Sequence, residues 1–167
     1  MRALVLTGPP AAGKSTIGRL VAQDRPRAAF IDIDDVRHLV VSGHAAPWEG
    51  EEGRRQRRLG VLNGCALAAN FLAAGIDVVI ADVLTDDTAA LYRESLPGVL
   101  ILELVVDLAE ARRRAAGRPV HLTPAEFREL HARQAAFTAG DIRLDTTRLP
   151  VRTAAARVRD LWHRPDA

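Results

Sequence analysis

Short apolar runs alternate along this chain with longer segments in which apolar residues recur every three or four positions. Ala3 to Leu6, Ala28 to Ile33, Asp77 to Ala81, Val99 to Val106 and Asp141 to Asp145 have the length and composition of strands. Between them the spacing predicts helices. One begins behind Gly13, where Ile17, Leu20 and Val21 line up, and a short one is expected over Val36 to Val41. The longest is expected over Glu51 to Ala74, with Leu59, Leu62, Cys65/Ala66, Ala69 and Leu72/Ala73 as its apolar stripe. Gly60 and Gly64 each cost that helix about 1 kcal/mol, which points to close backbone packing there.

Punctuation supports the same division. Ser42 to Gly50 holds two glycines, Pro47 and Trp48, and reads as a loop. Thr85-Asp86-Asp87 caps a helix running to about Leu96, and Pro97-Gly98 turns the chain into the fourth strand. Asp107 with Glu110 opens the helix carrying Arg112 to Arg114. Thr123-Pro124-Ala125-Glu126 is a stronger start, with a cap, proline at the first position and glutamate at the third. Phe127, Leu130, Gln134 and Phe137 share one face of that helix. Pro150 precedes a last helix with Ala154, Ala155, Val158, Leu161 and Trp162. Five strands alternating with helices predict an α/β fold, a parallel sheet wrapped on both faces. In such sheets ligands sit at the carboxyl ends of the strands.

At the end of the first strand stands Gly-Pro-Pro-Ala-Ala-Gly-Lys-Ser-Thr, residues 8 to 16. Gly8, Gly13, Lys14 and Ser15 fill the G-x-x-x-x-G-K-[ST] pattern in a strand–loop–helix context. That arrangement turns free helix N–H groups toward a phosphate. Pro9 and Pro10 have no N–H, so the cradle amides are expected from Ala12 through Thr16, with Ala11 completing the loop. Lys14, the only lysine in the chain, would reach the β- and γ-phosphates, and the Ser15 hydroxyl would ligate Mg²⁺. The expected cofactors are ATP and Mg²⁺.

Strand-end acids come next. Asp82 follows four apolar residues, as an acid does in a Walker B strand, and is a candidate metal ligand. Asp32 and Asp34 close the second strand, where alternation would send both to one side. One would then sit near the metal and Asp34 would accept a proton from an attacking hydroxyl, while Asp35 is the candidate helix cap. Arg112, Arg113, Arg114 and Arg118 form a basic cluster, with Arg114 and Arg118 neighbours at helical spacing. An arginine above a transferring phosphoryl group supplies charge stabilisation. The five histidines show no ligand spacing with Cys65 or one another, which argues no zinc site.

Composition narrows the setting. With 167 residues, 48% hydrophobic and 26% charged, the chain suits a single globular domain over 1–167. A net charge of +2 with no long like-charge run gives no strong polyanion signal. The single Cys65 excludes an internal disulfide and fits a reducing compartment. The first apolar run is short and leads into the phosphate loop, so no leader is expected, and no run approaches a membrane span. A cytoplasmic location with no membrane partner is expected.

The phosphate loop, Asp34, the Val79-Ile80-Ala81-Asp82-Val83 strand, the arginine cluster and Asp145-Thr146-Thr147 resemble the small P-loop kinases of the shikimate- and gluconate-kinase type, and most closely the chloramphenicol phosphotransferases. The resemblance implies a three-layer P-loop NTPase fold with strand order 2-3-1-4-5, and transfer of the ATP γ-phosphate to a small-molecule hydroxyl. It implies Asp34 as base, Arg112 near the adenine, Arg118 on a lid spanning about 112–124, and Leu149, Pro150 and Val151 along the adenine. Arg114 joins the nucleotide side. The acceptor side is expected over about 36–58, where Arg37, Trp48 and Arg54 join Asp34. Acceptors to weigh are an antibiotic or other natural product, or a nucleotide or polynucleotide end reached through Arg54 to Arg58. A non-catalytic ATP-binding switch is the third reading.

Overall fold

In the computed structural model, which describes residues 2–117 and 122–163, the elements alternate as the pattern requires. They are β1 (Leu4–Thr7), α1 (Lys14–Gln23), β2 (Ala28–Asp32), α2 (Ile33–Arg37), α3 (Gly50–Ala73), β3 (Asp77–Ala81), α4 (Asp86–Ser95), β4 (Leu100–Val105), α5 (Leu108–Ala115), α6 (Pro124–Ala135), β5 (Ile142–Asp145) and α7 (Val151–Trp162). The strands form one parallel sheet in the order β2-β3-β1-β4-β5. β1 and β3 are buried throughout, as apolar runs in the middle of a covered parallel sheet must be. β5 at one edge alternates half-buried and exposed positions instead.

Two apolar cores fill the two sides of the sheet. One joins Leu4, Leu6 and Leu102 to Ile17 and Val21 of α1, Ala111 of α5, Phe127 of α6 and Ala154, Val158 and Trp162 of α7. The other joins Val5, Val78, Ile80 and Ile101 to Ile33 of α2, Val61, Cys65 and Ala68 of α3 and Ala89 and Tyr92 of α4. The expected three layers are therefore present. Among the described residues, no helix is long and apolar enough to cross a membrane.

Caps behave as read at two starts. Asp107 accepts the Glu110 N–H at 2.7 Å, and Thr123 and Glu126 form a reciprocal capping box. Two elements differ from expectation. The short helix over Val36 to Val41 instead spans Ile33–Arg37, because Asp32, not Asp35, accepts the N–H of Asp34 and caps it. The apolar stripe of the long helix is also different. Leu59 and Leu62 are exposed, and the buried face carries Gly53, Gln56, Gly60, Val61, Gly64, Cys65 and Ala68. The close packing expected at Gly60 and Gly64 is there: a Cβ would stand 2.6 Å from Arg37 Cγ at the first and 2.4 Å from Ile33 Cδ1 at the second.

Candidate active site at the strand ends

β1 delivers a loop whose backbone only certain residues can follow. Gly8 has φ +140°, and a Cβ there would lie 2.2 Å from the Leu104 carbonyl oxygen. Ala11 at φ 62° and Gly13 at φ 98° are also left-handed. The Ala12 N–H closes the turn on the Pro9 carbonyl at 3.2 Å, and the first intrahelical bond is Ile17 N–H to Gly13 O at 2.8 Å. The N–H groups of Gly13 through Thr16 precede that bond, at the dipole-positive end of α1, where an anion is favoured. Lys14 Nζ donates to Gly8 O at 2.8 Å and to Pro9 O at 3.1 Å, which holds its ammonium over the loop.

Around this loop the structure brings together the acids expected at strand ends. The Ser15 hydroxyl donates to Asp32 Oδ2 at 2.7 Å. Asp82 accepts from the Val83 N–H at 2.7 Å and from the Tyr92 hydroxyl at 3.0 Å. Burial pushes the Asp82 carboxyl up to about 6, against the lowering effect of those two bonds; the Asp34 charge raises it further and Lys14 opposes. Ser15, Asp32 and Asp82 offer hard oxygen donors suited to a magnesium ion. Among the described residues no group of three or more His, Cys, Asp or Glu side chains forms a closed metal cage. Magnesium needs none where phosphate and water complete its shell.

Asp34 lies in the first turn of α2, not on the strand, so strand alternation does not put it beside Asp32. Its placement is helical: its own N–H donates to Asp32 Oδ1 at 3.2 Å, and its carboxylate projects outward, 67% exposed. Arg37, one turn on, donates from Nη1 to Asp34 Oδ1 at 3.2 Å and from Nη2 to the Ala45 carbonyl at 3.3 Å.

Comparison with known proteins agrees with the fold. No protein-family model matches the chain. The shikimate kinase of Pseudomonas entomophila is 44% identical over 87 residues, 49% of this chain and 49% of that protein. This chain therefore matches about half the length of the curated relatives it resembles. Among solved structures, the shikimate kinase of Acinetobacter baumannii in complex with shikimate superposes with TM-score 0.70 at 22% identity, covering 97% of this chain and 93% of that one. A gluconokinase of Sinorhizobium meliloti superposes at 0.64 with 20% identity, over 96% and 93%. The chain has the P-loop kinase fold of the shikimate kinases.

Within that shikimate-kinase fold, the other expected residues divide. Val151 lines a cavity of about 440 Å³ with Ser15, Thr16, Arg19, Leu20, Gln23 and Arg152, beside the start of α1. Pro150 caps α7 beside it, whereas Leu149 packs against the core. Arg112 is exposed on α5. Arg114 is engaged elsewhere: it pairs with Glu110 at 2.7 Å and donates to the Thr146 carbonyl at 2.6 Å, tying α5 to the turn after β5. Bonds from Arg113 and Arg114 hold the Glu110 carboxyl down to about 2. Arg118 falls outside the described residues, so the expected lid is described on its flanks only. Arg54 lines a second cavity, about 240 Å³, with Arg55, Arg57, Arg58, Glu51, Asp87, Thr88 and Leu91. Asp34, Arg37 and Trp48 are not in its lining, and Trp48 is 44% exposed.

Three contacts had no signal in the sequence. Tyr92 holds Asp82 from ten residues away, on a helix whose pattern marks it only as core. Arg57 reaches across to Asp87 of α4 at 3.7 Å. Gln134, which reads as one more position on the apolar face of α6, donates to the Leu84 carbonyl at 2.7 Å and accepts from Thr7, bracing the ends of β1 and β3. None of the three follows a local spacing rule.

Proposed function

We propose that the chain is an ATP-dependent kinase that transfers the γ-phosphate to a hydroxyl of a small molecule. The observation that carries this reading is a complete phosphate loop tied through Ser15 to Asp32, whose other oxygen takes the backbone N–H of Asp34, while the outward Asp34 carboxylate accepts from Arg37. In this reading Gly8, Ala11, Ala12, Gly13 and Thr16 shape and line the phosphate cradle, and Lys14 bridges the β- and γ-phosphates. Ser15, Asp32 and Asp82 would hold Mg²⁺, which when bound neutralises charge on the two terminal phosphates. Asp34 accepts the proton of the acceptor hydroxyl as its oxygen bonds to the γ-phosphorus and the bond to the β–γ bridging oxygen breaks. Arg112 and Val151 border the base, and Arg118 is the candidate lid cation.

On the segment expected to meet the acceptor, four arginines share one cavity with Glu51 and Asp87. Asp34 is not in that lining, whose excess of positive charge favours an acidic acceptor, a carboxylate or a phosphate, over a neutral one. Shikimate, bound in one of the similar structures, is a carboxylate, and so is gluconate, from which the similar gluconokinase takes its name. The same arginines support a second reading, a nucleotide or polynucleotide end, while a neutral antibiotic has less support from this lining. A non-catalytic switch would need no carboxylate held at the strand edge.

An acceptor screen coupled to ADP release tests the proposal, using shikimate, gluconate, nucleoside monophosphates, a 5′-hydroxyl oligonucleotide and chloramphenicol. Acceptor-dependent ADP release with a hydroxy acid supports the first reading, and release with a nucleotide or oligonucleotide selects the second. ATP binding without acceptor-dependent release across a wider panel of hydroxyl compounds would sink the kinase reading in favour of a switch.

A further inference from the structure

Arg37 is nine-tenths buried, carries a charge and makes two hydrogen bonds that pull in different directions. One ends on the carboxylate of Asp34 and the other on the backbone at Ala45, in the segment between α2 and α3. Its Nε is enclosed without a hydrogen-bond partner. Burying a guanidinium this way is costly, so the contact needs space made for it. That space comes from α3. A Cβ on Gly60 would lie 2.6 Å from Arg37 Cγ and 3.2 Å from its Cδ. A mid-helix glycine costs about 1 kcal/mol relative to alanine, so helix propensity gives no reason for it.

Gly64, one turn later, makes room for Ile33 Cδ1, and Gly53 for the Ala46 carbonyl. Of these three, only Gly60 faces a side chain that touches a candidate reacting group. We propose that Gly60 is a positioning residue for the base: it lets the Arg37 stem lie flat on α3, so that one guanidinium fixes Asp34 and the segment at Ala45 together. The catalytic half of this rests on the kinase reading above; the contact itself does not.

The test uses the full chain, with ¹⁵N-arginine labelling and with ADP release from Mg·ATP to water as the reaction read. Arg37→Lys assigns the Arg37 signal, because lysine has no fork to bridge two acceptors. In the parent protein the Arg37 guanidinium rotates slowly about its Cζ–Nη bonds, and in Gly60→Ala that restraint is lost. Gly60→Ala and Arg37→Lys each lower kcat by about 10- to 100-fold, the cost of a small misplacement, with the KM for ATP held within about twofold. The double variant is no slower than the worse single, as expected for two residues in one device. Gly64→Ala loses stability but keeps the Arg37 signature and kcat. Unchanged Arg37 rotation in Gly60→Ala, losses that multiply in the double variant, or an equal kcat loss in Gly64→Ala would each overturn the proposal. If Gly60→Ala does not fold, Gly60→Ala with Arg37→Ala decides: removing the stem restores folding, and a double variant that still fails overturns it. Undiminished turnover by Asp34→Asn would remove the base reading alone, since the rotation measurement reports the contact independently.

Discussion

The two ends of the proposed site are built by different means. At the phosphate end, the work is done by backbone. Gly8, Ala11 and Gly13 take left-handed conformations, a Cβ at Gly8 is excluded by the Leu104 carbonyl, and the surrounding strands are fully buried. At the proposed acceptor end, the contacts are made by side chains that come from separate elements. Arg37 reaches from α2 to Ala45, Arg57 reaches from α3 to Asp87, and Leu39 and Val41 between α2 and α3 are 74% and 94% exposed. The difference teaches where specificity can vary. A phosphate is the same ligand for every kinase, so a rigid backbone cradle suits it, whereas an acceptor is chosen by side chains on less packed ground.

Substitutions can break that contrast, and the largest effect is expected from Lys14→Ala. It removes a charge-assisted contact to phosphate that water replaces poorly, so phosphoryl transfer and ATP affinity should fall together, transfer by about 10³-fold or more. Isothermal titration beside ADP release checks this. Full transfer by the variant would end the phosphate-loop account.

Next in size is a pair of glycine replacements, one at each end. Gly8→Ala drives a Cβ into a backbone oxygen and should cost about 3 kcal/mol or more, enough to lose the folded loop. Gly43→Ala, at φ +74° with no atom within 4 Å of the added Cβ, should cost only about 1 kcal/mol. Thermal melts of the two proteins make the comparison. Equal costs would mean the phosphate loop is no more constrained than the segment between α2 and α3.

Asp82→Asn is expected to be smaller and to change sign with the property measured. Burial raises the folded carboxyl to about 6 from 3.8, so the folded state binds the proton more tightly than the unfolded chain does. The stability this gives is complete below pH 3.8 and is lost as pH rises through 6. At pH 8 the buried charge costs on the order of 1–3 kcal/mol, which asparagine removes. In the absence of metal, the variant should melt above the parent at pH 8 and close to it at pH 4. Its nucleotide affinity should meanwhile depend less on Mg²⁺. A variant less stable than the parent at pH 8 would mean that the Tyr92 and Val83 bonds outweigh desolvation.

The same contrast explains what the sequence could reveal. The phosphate loop, Asp82 directly after β3 and the capping box at Thr123 and Glu126 are local patterns, and the structure has each where the spacing puts it, whereas Asp34 lies on a helix and not on the strand. The sheet order came from resemblance, since periodicity does not specify which strands pair. The long helix lies where its period puts it but buries a different face: Leu59 and Leu62 carry the apolar signal and are exposed, while the buried face joins Val61, Cys65 and Ala68 to Gly53, Gly60 and Gly64, which carry no such signal. The start of α2 was displaced because Asp32 is read equally well as a strand end or a helix cap, and its bond to the Asp34 N–H decides for the cap. Tyr92, Arg57 and Gln134 act across distances in sequence that no motif spans.

The central claim, a kinase whose base is Asp34, is tested most directly by Asp34→Asn, with nucleotide titration and single-turnover transfer measured on the same preparation. Asparagine keeps the size and one carbonyl acceptor for Arg37 but lacks the basic carboxylate. With the proposed nucleotide contacts drawn from the phosphate loop, ATP affinity should stay within about twofold while transfer to the acceptor falls by about 10²–10⁴-fold, the usual worth of a positioned general base. Transfer at the parent rate would contradict the account. Loss of ATP binding would also contradict it, because Asp34 would then belong to the metal or to the fold.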